Sequence, residues 1–172
     1  EQMKNKIISA ALAALLISTI SCSNSEKKYE EEEKSLIADY IARNNITVAP
    51  DANGLYYIEL IPGAGDNIEI GDSLGVYYTG WFLDGTEFNN NTEETTPFRF
   101  RLSSYGLIEG WTIGLPKMKL GSKAQLLIPS KLAYGSVGYG YYDYYGRYIS
   151  VIPGYSPLLF EIQVVELVKA KK

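Results

Sequence analysis

Aromatic and apolar side chains, rather than ionisable nucleophiles, are the residues of this sequence that can do chemistry. Tyrosine occurs 15 times among the 172 residues, whereas histidine is absent and Cys22 is the only cysteine. Without histidine, the chain has neither a Ser-His-Asp or Cys-His catalytic pair nor a histidine-ligated metal site. A single cysteine forms neither an internal disulfide nor a thiolate metal cluster. The composition therefore predicts a function based on aromatic surface, without a metal or another cofactor.

Charge and composition exclude further classes of protein. Apolar residues make up 46% of the chain and charged residues 21%, so a globular core can form and wholesale disorder is not expected. Lysine and arginine number 16 against 20 aspartates and glutamates, which gives a net charge of −4. Because there is no basic surplus to neutralise a phosphate backbone, nucleic acid is not expected as a partner. The length suits one sizeable domain with a short appendage.

From residue 50 onward the sequence has the pattern of strands. Runs rich in β-branched and aromatic residues predict strands at 54–61, 72–82, 97–102, 122–129 and 156–168. Asp84 and Gly85 follow the second run and predict a hairpin. Residues 107–118 can form one short helix that ends before Pro116. These elements predict an α+β fold, in which a curled antiparallel sheet of about five strands covers one short helix.

The segment before residue 50 resembles a targeting signal. A short basic region precedes an apolar run at 7–20, which is too short to span a bilayer and suits a secretory signal peptide over residues 1–21. The run ends at Cys22, as in the signal of a bacterial lipoprotein, in which this cysteine is acylated. Residues 22–49 are therefore predicted to comprise the lipidated Cys22, a polar tether and an amphipathic helix.

The tether and the helix each allow two interpretations. The acidic run Glu30 to Glu33 is most simply a solvated spacer, and it also resembles the surface-export tags of some Gram-negative lipoproteins. Residues 29–44 place four apolar side chains on one helical face, namely Leu36, Ile37, Tyr40 and Ile41. This N-terminal helix is expected to dock on the main domain, or alternatively to serve as a dimerisation arm.

Seven short motifs follow one another in the part of the chain that is rich in strands. They are V-Y-Y-T-G at 76–80, D-G-T-E-F at 84–88, P-F-R-F at 97–100, L-I-E-G-W at 107–111, G-S-K-A at 121–124, A-Y-G at 133–135 and I-P at 152–153. In their order and spacing, across about residues 54–168, they resemble the FK506-binding protein (FKBP) family of peptidyl-prolyl isomerases. The resemblance implies the FKBP-like fold and an isomerase domain over residues 50–172.

By this resemblance, the motifs form an apolar pocket that encloses the proline of a substrate. Trp111 would form its floor, while the backbone N–H of Ile108 and the hydroxyl of Tyr134 would donate hydrogen bonds to substrate carbonyls. The catalytic residues implied are Tyr78, Phe88, Phe98, Ile108, Trp111, Tyr134 and Phe160, and the substrate-binding residues are Asn89, Leu107, Tyr139 and Ile152. Because rotation about an X–Pro bond makes and breaks no covalent bond, such a pocket needs no nucleophile and no metal.

Two departures from the family pattern affect the expected site. Asn89 stands where the family usually has an aspartate, and Glu94 stands where the arginine partner of that aspartate usually lies. Neutral Asn89 can still form hydrogen bonds, so the local fold is expected to survive. The catalytic rate and the affinity for FK506-type macrolides are the properties that this exchange is expected to affect. The second departure is an insertion with six tyrosines over residues 139–148. These tyrosines either extend peptide binding beyond the proline or form a hairpin in which they cover one another.

The leading hypothesis is a lipid-anchored peptidyl-prolyl cis-trans isomerase that assists the folding of exported proteins. It would act in the bacterial cell envelope, at the periplasmic or the cell-surface face of the outer membrane. Its partners would be proline-containing unfolded or exported polypeptides, FK506-type macrolides and the membrane. The alternative is a lipid-anchored chaperone or peptide-binding module with weak or no isomerase activity. A polysaccharide-binding lipoprotein is a third hypothesis, which only the number of tyrosines favours.

Overall fold

The structure is a computed structural model in which residues 26–103 and 105–171 are described. The predicted signal peptide 1–21 and the lipidation site Cys22 lie outside these residues. In chain order the strands are β1 (Tyr56–Ile61), β2 (Ala64–Asn67), β3 (Ser73–Phe82), β4 (Glu87–Asn90), β5 (Phe98–Arg101), β6 (Lys119–Leu120), β7 (Lys123–Ile128), β8 (Tyr139–Tyr142), β9 (Tyr148–Ile152) and β10 (Leu158–Val168). Within the described part of the chain, no helix combines the length and the apolar character needed to cross a membrane.

Six of these strands form one antiparallel sheet. Its order is β1-β7-β10-β3, and β3 pairs with both β4 and β5 along its other edge. The two long strands β3 and β10 are rich in β-branched and aromatic residues and pair along nearly their whole length. Two small two-stranded sheets accompany it, β2 with β6 and the β8–β9 hairpin. The predicted α+β fold is confirmed, with one strand more in the main sheet than the sequence indicated.

The concave face of the sheet packs on a short helix, α2 (Glu109–Gly114), which continues into a 3-10 turn at Leu115–Lys117. Pro116 lies in this turn, where it ends the α-helix as predicted. Two glycines let α2 approach β7 closely, because a Cβ atom on Gly110 or Gly114 would lie 2.5 Å from a side-chain carbon of Ile128 or Leu126. The main core lies between this helix and the sheet.

A longer helix, α1, covers the opposite face of the sheet over residues 26–43. Three of its apolar side chains pack on a second, smaller core that includes Leu83, Leu127, Leu159, Tyr56 and Trp81; they are Ile37, Tyr40 and Ile41. The N-terminal helix therefore docks on the main domain, which is the first of the two interpretations of its apolar face. Leu36 was predicted to share this face but is 50% exposed.

The interpretation of the acidic run as a solvated spacer is wrong for its last residue. The run is helical rather than extended, because α1 already includes residue 26, whereas the sequence predicted a helix from residue 29. Glu30, Glu31 and Glu32 are exposed, as expected for solvated residues, but Glu33 is buried against the domain. Its carboxylate has hydrogen-bond donors there that the local sequence does not reveal.

Candidate active site

A pocket of about 240 Å³ opens on the concave side of the sheet, beside α2 and the β8–β9 hairpin. It brings together every residue that the sequence resemblance placed in the site. These residues are Tyr78, Phe88, Asn89, Phe98, Leu107, Ile108, Trp111, Tyr134, Tyr139, Ile152 and Phe160. Gly106 and Val151 also line the pocket and were not predicted, although each is the chain neighbour of a residue that was.

Trp111 is among the most buried residues of the pocket lining, with 4% of its surface exposed. Two further rings stand on it edge-to-face, an arrangement that aromatic pairs favour. The ring of Tyr78 lies 5.2 Å from Trp111 at 82°, and the ring of Phe160 lies 5.4 Å away at 87°. The indole Nε1 of Trp111 is buried without a hydrogen-bond partner among the described residues. Trp111 is thus a buried part of the pocket lining, and its role as the floor of the site stays a prediction.

The walls of the pocket come from neighbouring strands of the sheet. Phe160 on β10 is the direct cross-strand partner of Gly80 on β3, and the glycine leaves room for two rings above it. Phe88 on β4 fills this space and contacts Phe160 with ring centroids 5.5 Å apart at 85°. Phe98 on β5 closes the other side, 6.1 Å from Tyr78. Strand pairing thus determines the distance between Phe98 on one side of the pocket and Phe88 and Phe160 on the other.

The start of α2 supplies both an apolar and a polar contact to the pocket. Ile108 precedes the helix in extended conformation, with φ −65° and ψ 147°. An N–H group at this position has no partner within the helix, so that of Ile108 can donate to a ligand. The carbonyl of Ile108 accepts the N–H of Trp111 at 3.1 Å, which begins the helix with the indole directed to the floor of the site.

Asn89, which stands in place of the family's aspartate, accepts a hydrogen bond within the pocket. The Tyr78 hydroxyl donates to Asn89 Oδ1 at 2.5 Å. Two residues further on, the buried Asn91 accepts the Tyr78 N–H at 2.7 Å and donates to the Val76 carbonyl at 3.0 Å. Burial raises the pKa of Tyr78, so its hydroxyl stays protonated and remains a donor at neutral pH. The amide is therefore sufficient to hold the tyrosine in place.

Tyr134 and Tyr139 form the rim of the pocket opposite the sheet. Their ring centroids lie 5.2 Å apart. Burial is the main cause that raises the pKa of Tyr134, and the neighbouring Tyr139 and Tyr78 raise it further. The Tyr134 hydroxyl is therefore a hydrogen-bond donor across the physiological pH range.

The tyrosine-rich insertion forms the β8–β9 hairpin. Two pairs of its tyrosines contact each other, Tyr142 with Tyr148 at 5.3 Å and Tyr144 with Tyr145 at 5.5 Å. Mutual contact nevertheless leaves most of their surface free, since Tyr144 is 96% exposed and Tyr145 is 79% exposed. The insertion is thus a hairpin, as one interpretation expected, but its tyrosines do not bury one another.

The tip of the β8–β9 hairpin is held by its own hydrogen bonds. Asp143 Oδ1 accepts the N–H groups of Tyr145 and Arg147, both at 2.9 Å, and Asp143 Oδ2 accepts from the Arg147 side chain at 2.7 Å. The Arg147 guanidinium also lies 5.5 Å from the centroid of the Tyr145 ring. The exposed rings are therefore presented on an ordered turn.

Two further concave surfaces in the described part of the chain lack this aromatic enclosure. Two larger grooves, of about 680 and 860 Å³, run along α1, and charged side chains such as Glu33 contribute to both linings. Within residues 26–103 and 105–171, no three Cys, Asp or Glu side chains gather into a group that could hold a metal ion. The aromatic pocket is the place where convergent apolar rings meet aimed hydrogen-bond donors.

Comparison with known sequences gives a consistent family match. A sequence profile described as FKBP-type peptidyl-prolyl cis-trans isomerase matches residues 65–165. The chain is 33% identical to an FK506-binding protein of Neisseria meningitidis, over 66% of this chain and 96% of that protein. It is 35% identical to the FKBP-type peptidyl-prolyl cis-trans isomerase FkpA of Escherichia coli K12 over 73% of this chain. That alignment covers 42% of FkpA, so the chain spans less than half the length of this relative.

Solved structures show the same fold. The structure resembles the crystal structure of a peptidyl-prolyl cis-trans isomerase from Pseudomonas syringae with a TM-score of 0.67 and 32% sequence identity, over 83% of this chain and 96% of that one. It also resembles AtFKBP13, with a TM-score of 0.61 and 29% identity over 70% of this chain and 98% of the other.

Proposed function

Because the chain belongs to the FKBP-type peptidyl-prolyl cis-trans isomerase family, we propose that its aromatic pocket catalyses rotation about X–Pro peptide bonds. The observation that carries this proposal is the enclosure built on Trp111, in which rings from β3, β4, β5 and β10 surround a cavity of about 240 Å³. Sites for drug-sized ligands typically measure about 300–1,000 Å³. The smaller cavity suits one proline ring, and an FK506-type macrolide would insert only a part of its structure.

Catalysis by this pocket needs no covalent step. Unaided rotation about an X–Pro bond crosses a barrier of about 20 kcal/mol and takes tens to hundreds of seconds. Shortening about 100 s to about 10 ms requires about 5.4 kcal/mol of transition-state stabilisation. The twisted amide has lost its resonance and is less polar than the planar one. An apolar cavity that excludes water therefore favours the twisted form over the planar ground state.

Two donors at the rim of the cavity complete the mechanism. The Ile108 N–H and the Tyr134 hydroxyl would bind carbonyl groups on either side of the rotating bond and hold the flanking chain while the amide turns. Donors that are fixed before the substrate arrives need no reorganisation during the reaction. This part of the proposal is supported by the positions of both residues in the pocket lining and by the raised pKa of Tyr134.

We further propose that the substrates are unfolded polypeptides, whose folding the protein assists. The exposed tyrosines of the β8–β9 hairpin support this, because they continue the pocket outward through Tyr139 and Val151. Tyrosine gives a large amphipathic contact area at a low cost in side-chain entropy. A segment that flanks the proline could therefore bind there, and contact with the hairpin would raise the residence time of a long client.

The decisive experiment measures isomerisation of a tetrapeptide with an apolar residue before proline. The unmodified protein should accelerate the exchange, and Phe98→Ala, which removes a pocket wall, should lower kcat/KM about tenfold or more. Tyr145→Ala is the matched control, because it removes an exposed aromatic ring outside the pocket. A folded, unmodified protein that leaves the rate at the buffer value would refute the enzyme and favour a peptide-binding module.

We also propose attachment to a membrane of the bacterial cell envelope through Cys22. Support comes from the sequence alone, that is, from the apolar run at 7–20 that ends at this cysteine. Because one acyl chain binds membranes only marginally, stable attachment requires at least two. Mass spectrometry of membrane-extracted protein should therefore find a multiply acylated Cys22, and an unmodified thiol would refute the anchor.

A further inference from the structure

The N-terminal helix contacts the loop that carries Tyr134 through one buried carboxylate. Glu33 on α1 is 9% exposed and accepts two hydrogen bonds from Ser130, from its N–H at 2.5 Å and from its hydroxyl at 2.7 Å. The two residues are 97 positions apart in the chain. Ser130 is itself buried, so both of its donors are satisfied by a residue of a separate element.

Ser130 in turn fixes the backbone on both sides of Tyr134. Its carbonyl accepts the N–H of Ala133 at 2.9 Å and the N–H of Gly135 at 2.8 Å. These residues are the two chain neighbours of Tyr134. The orientation of the Ser130 residue therefore determines where the Tyr134 ring enters the pocket.

A second contact from α1 reaches the loop that carries Tyr134 indirectly, through Tyr155. Tyr29, one helical turn before Glu33, stacks on Tyr155 with ring centroids 5.0 Å apart and planes at 16°. The Tyr155 N–H donates to the Gly135 carbonyl at 2.8 Å. Tyr155 has a φ of +58°, a left-handed conformation that non-glycine residues adopt only when their surroundings hold them there. Both contacts thus converge on the segment around Tyr134.

Glu33 is not needed to attach α1 to the domain. The apolar contacts of Ile37, Tyr40 and Ile41 with the outer face of the sheet already do so. Burying a carboxylate costs free energy, and a buried polar contact is weak support for stability compared with apolar packing. The Glu33 carboxylate is therefore better explained by its orientation of Ser130 than by a contribution to the attachment of α1.

We propose that Glu33 is a positioning residue for Tyr134, acting through Ser130, so that α1 forms part of the support of the active site. The inference rests on the proposed isomerase function, in which the Tyr134 hydroxyl binds a substrate carbonyl. Loss of the Glu33 carboxylate frees the Ser130 N–H and hydroxyl, and the two backbone hydrogen bonds that flank Tyr134 lose their fixed acceptor. The Tyr134 hydroxyl then spends less time in the productive position.

A mutant cycle in the full chain separates positioning from general destabilisation. Glu33→Ala should lower kcat/KM for the tetrapeptide at least fivefold in the unmodified background and less than twofold in a Tyr134→Phe background. Glu32→Ala, which removes the exposed neighbouring carboxylate that pairs with Lys28 at 3.6 Å, should change neither. Equal losses from Glu33→Ala in both backgrounds would overturn the proposal, because the effect would not pass through the tyrosine hydroxyl.

Hydrogen exchange supplies a readout that does not depend on catalysis. In Glu33→Ala, the amides of Ala133 and Gly135 should exchange at least tenfold faster than in Glu32→Ala, while amides of β7 and β10 stay unchanged. Unchanged exchange at the two loop amides would overturn the proposal. An inactive unmodified protein would refute the proposed function alone, and the exchange data would then decide the role of Glu33. If Glu33→Ala fails to fold, Glu33→Gln, which keeps one acceptor, replaces it with smaller expected effects of the same sign.

Discussion

A substitution at Gly80 tests whether the positions of Phe88 and Phe160, two walls of the pocket, determine its catalytic activity. It lies on β3 opposite Phe160, and a Cβ atom at this position would come within 2.6 Å of Phe88 Cζ and 2.9 Å of Phe160 Cε1. Carbon atoms in ordinary contact are about 3.5–4.0 Å apart, so Gly80→Ala requires the rings to move by about 1 Å. Because this Cβ atom would project from the concave face, it displaces the rings toward the pocket that they line.

The expected magnitudes follow from this displacement. Overpacking of a well-packed site costs about 1–3 kcal/mol, which corresponds to a fall of about 2–12 °C in the midpoint of thermal unfolding for a chain of this size. A misplacement of about 1 Å can cost about 100-fold in rate. We therefore expect Gly80→Ala to remain folded and to lose about 10–100-fold in kcat/KM for a proline tetrapeptide.

Gly75 provides the matched control on the same strand. Its Cβ would project from the opposite face and meet the Glu166 carboxylate, with the nearest oxygen at 2.6 Å. Glu166 lies at the surface, where it pairs with Arg99. Its carboxylate can move freely, whereas its Cβ, at 2.9 Å, requires a small shift of β10 on the face away from the pocket. Gly75→Ala should therefore lower stability while tetrapeptide turnover stays within twofold of the unmodified rate. Full activity in a folded Gly80→Ala variant, or equal losses in both variants, would refute the assignment of the walls.

Three further outcomes are expected. The rate of tetrapeptide isomerisation should be constant from about pH 6 to 9, because burial raises the pKa of Tyr78 and of Tyr134 above the tyrosine value of 10.0; a bell-shaped pH profile would contradict this. Burial alone would raise the pKa of Asp72, but the Lys169 ammonium and two backbone N–H groups lower this pKa below 3.8. The ionised carboxylate therefore stabilises the fold above about pH 4, and this stabilisation is lost as the pH falls further. Asp72→Asn should accordingly lower the thermal midpoint by several degrees at pH 7 and much less at pH 2, and equal shifts at both pH values would contradict the assignment. Replacing residues 140–149 by a glycine-containing turn should leave tetrapeptide turnover unchanged and slow the catalysed refolding of a whole protein; loss of both activities would place the tyrosines inside the pocket.

Local pattern was sufficient to predict the strands whose residues have strong β propensity. The runs that became β3, β7 and β10 are dense in β-branched and aromatic residues, and Pro116 ended the helix where expected. Asp84 and Gly85 predicted the hairpin between β3 and β4, but the bounds of β4 were not predicted because Glu-Phe-Asn-Asn has no such pattern. Its strand conformation comes from pairing with β3 and from the hydrogen bonds of Asn91, which are tertiary contacts.

The pocket residues were predictable for a different reason, namely the resemblance of seven motifs to a known family. Propensity alone would have assigned Phe98 or Phe160 to a core, since burial and enclosure of a ligand require the same residue types. The role of Glu33 lay beyond both kinds of reasoning. Its partner Ser130 is distant in the sequence, and an acidic run next to a targeting signal has no feature that distinguishes its one buried member.

The β8–β9 hairpin leaves the domain at a fixed base. Tyr139 and Ile152 are cross-strand partners there, and both line the pocket. Beyond the pocket residues Tyr139, Val151 and Ile152, the hairpin can be lengthened, shortened or replaced without a change in the pocket lining, since surface loops tolerate such change. We therefore expect the hairpin to be a position at which selection can alter the range of bound polypeptides, independently of the proposed rotation about the X–Pro bond.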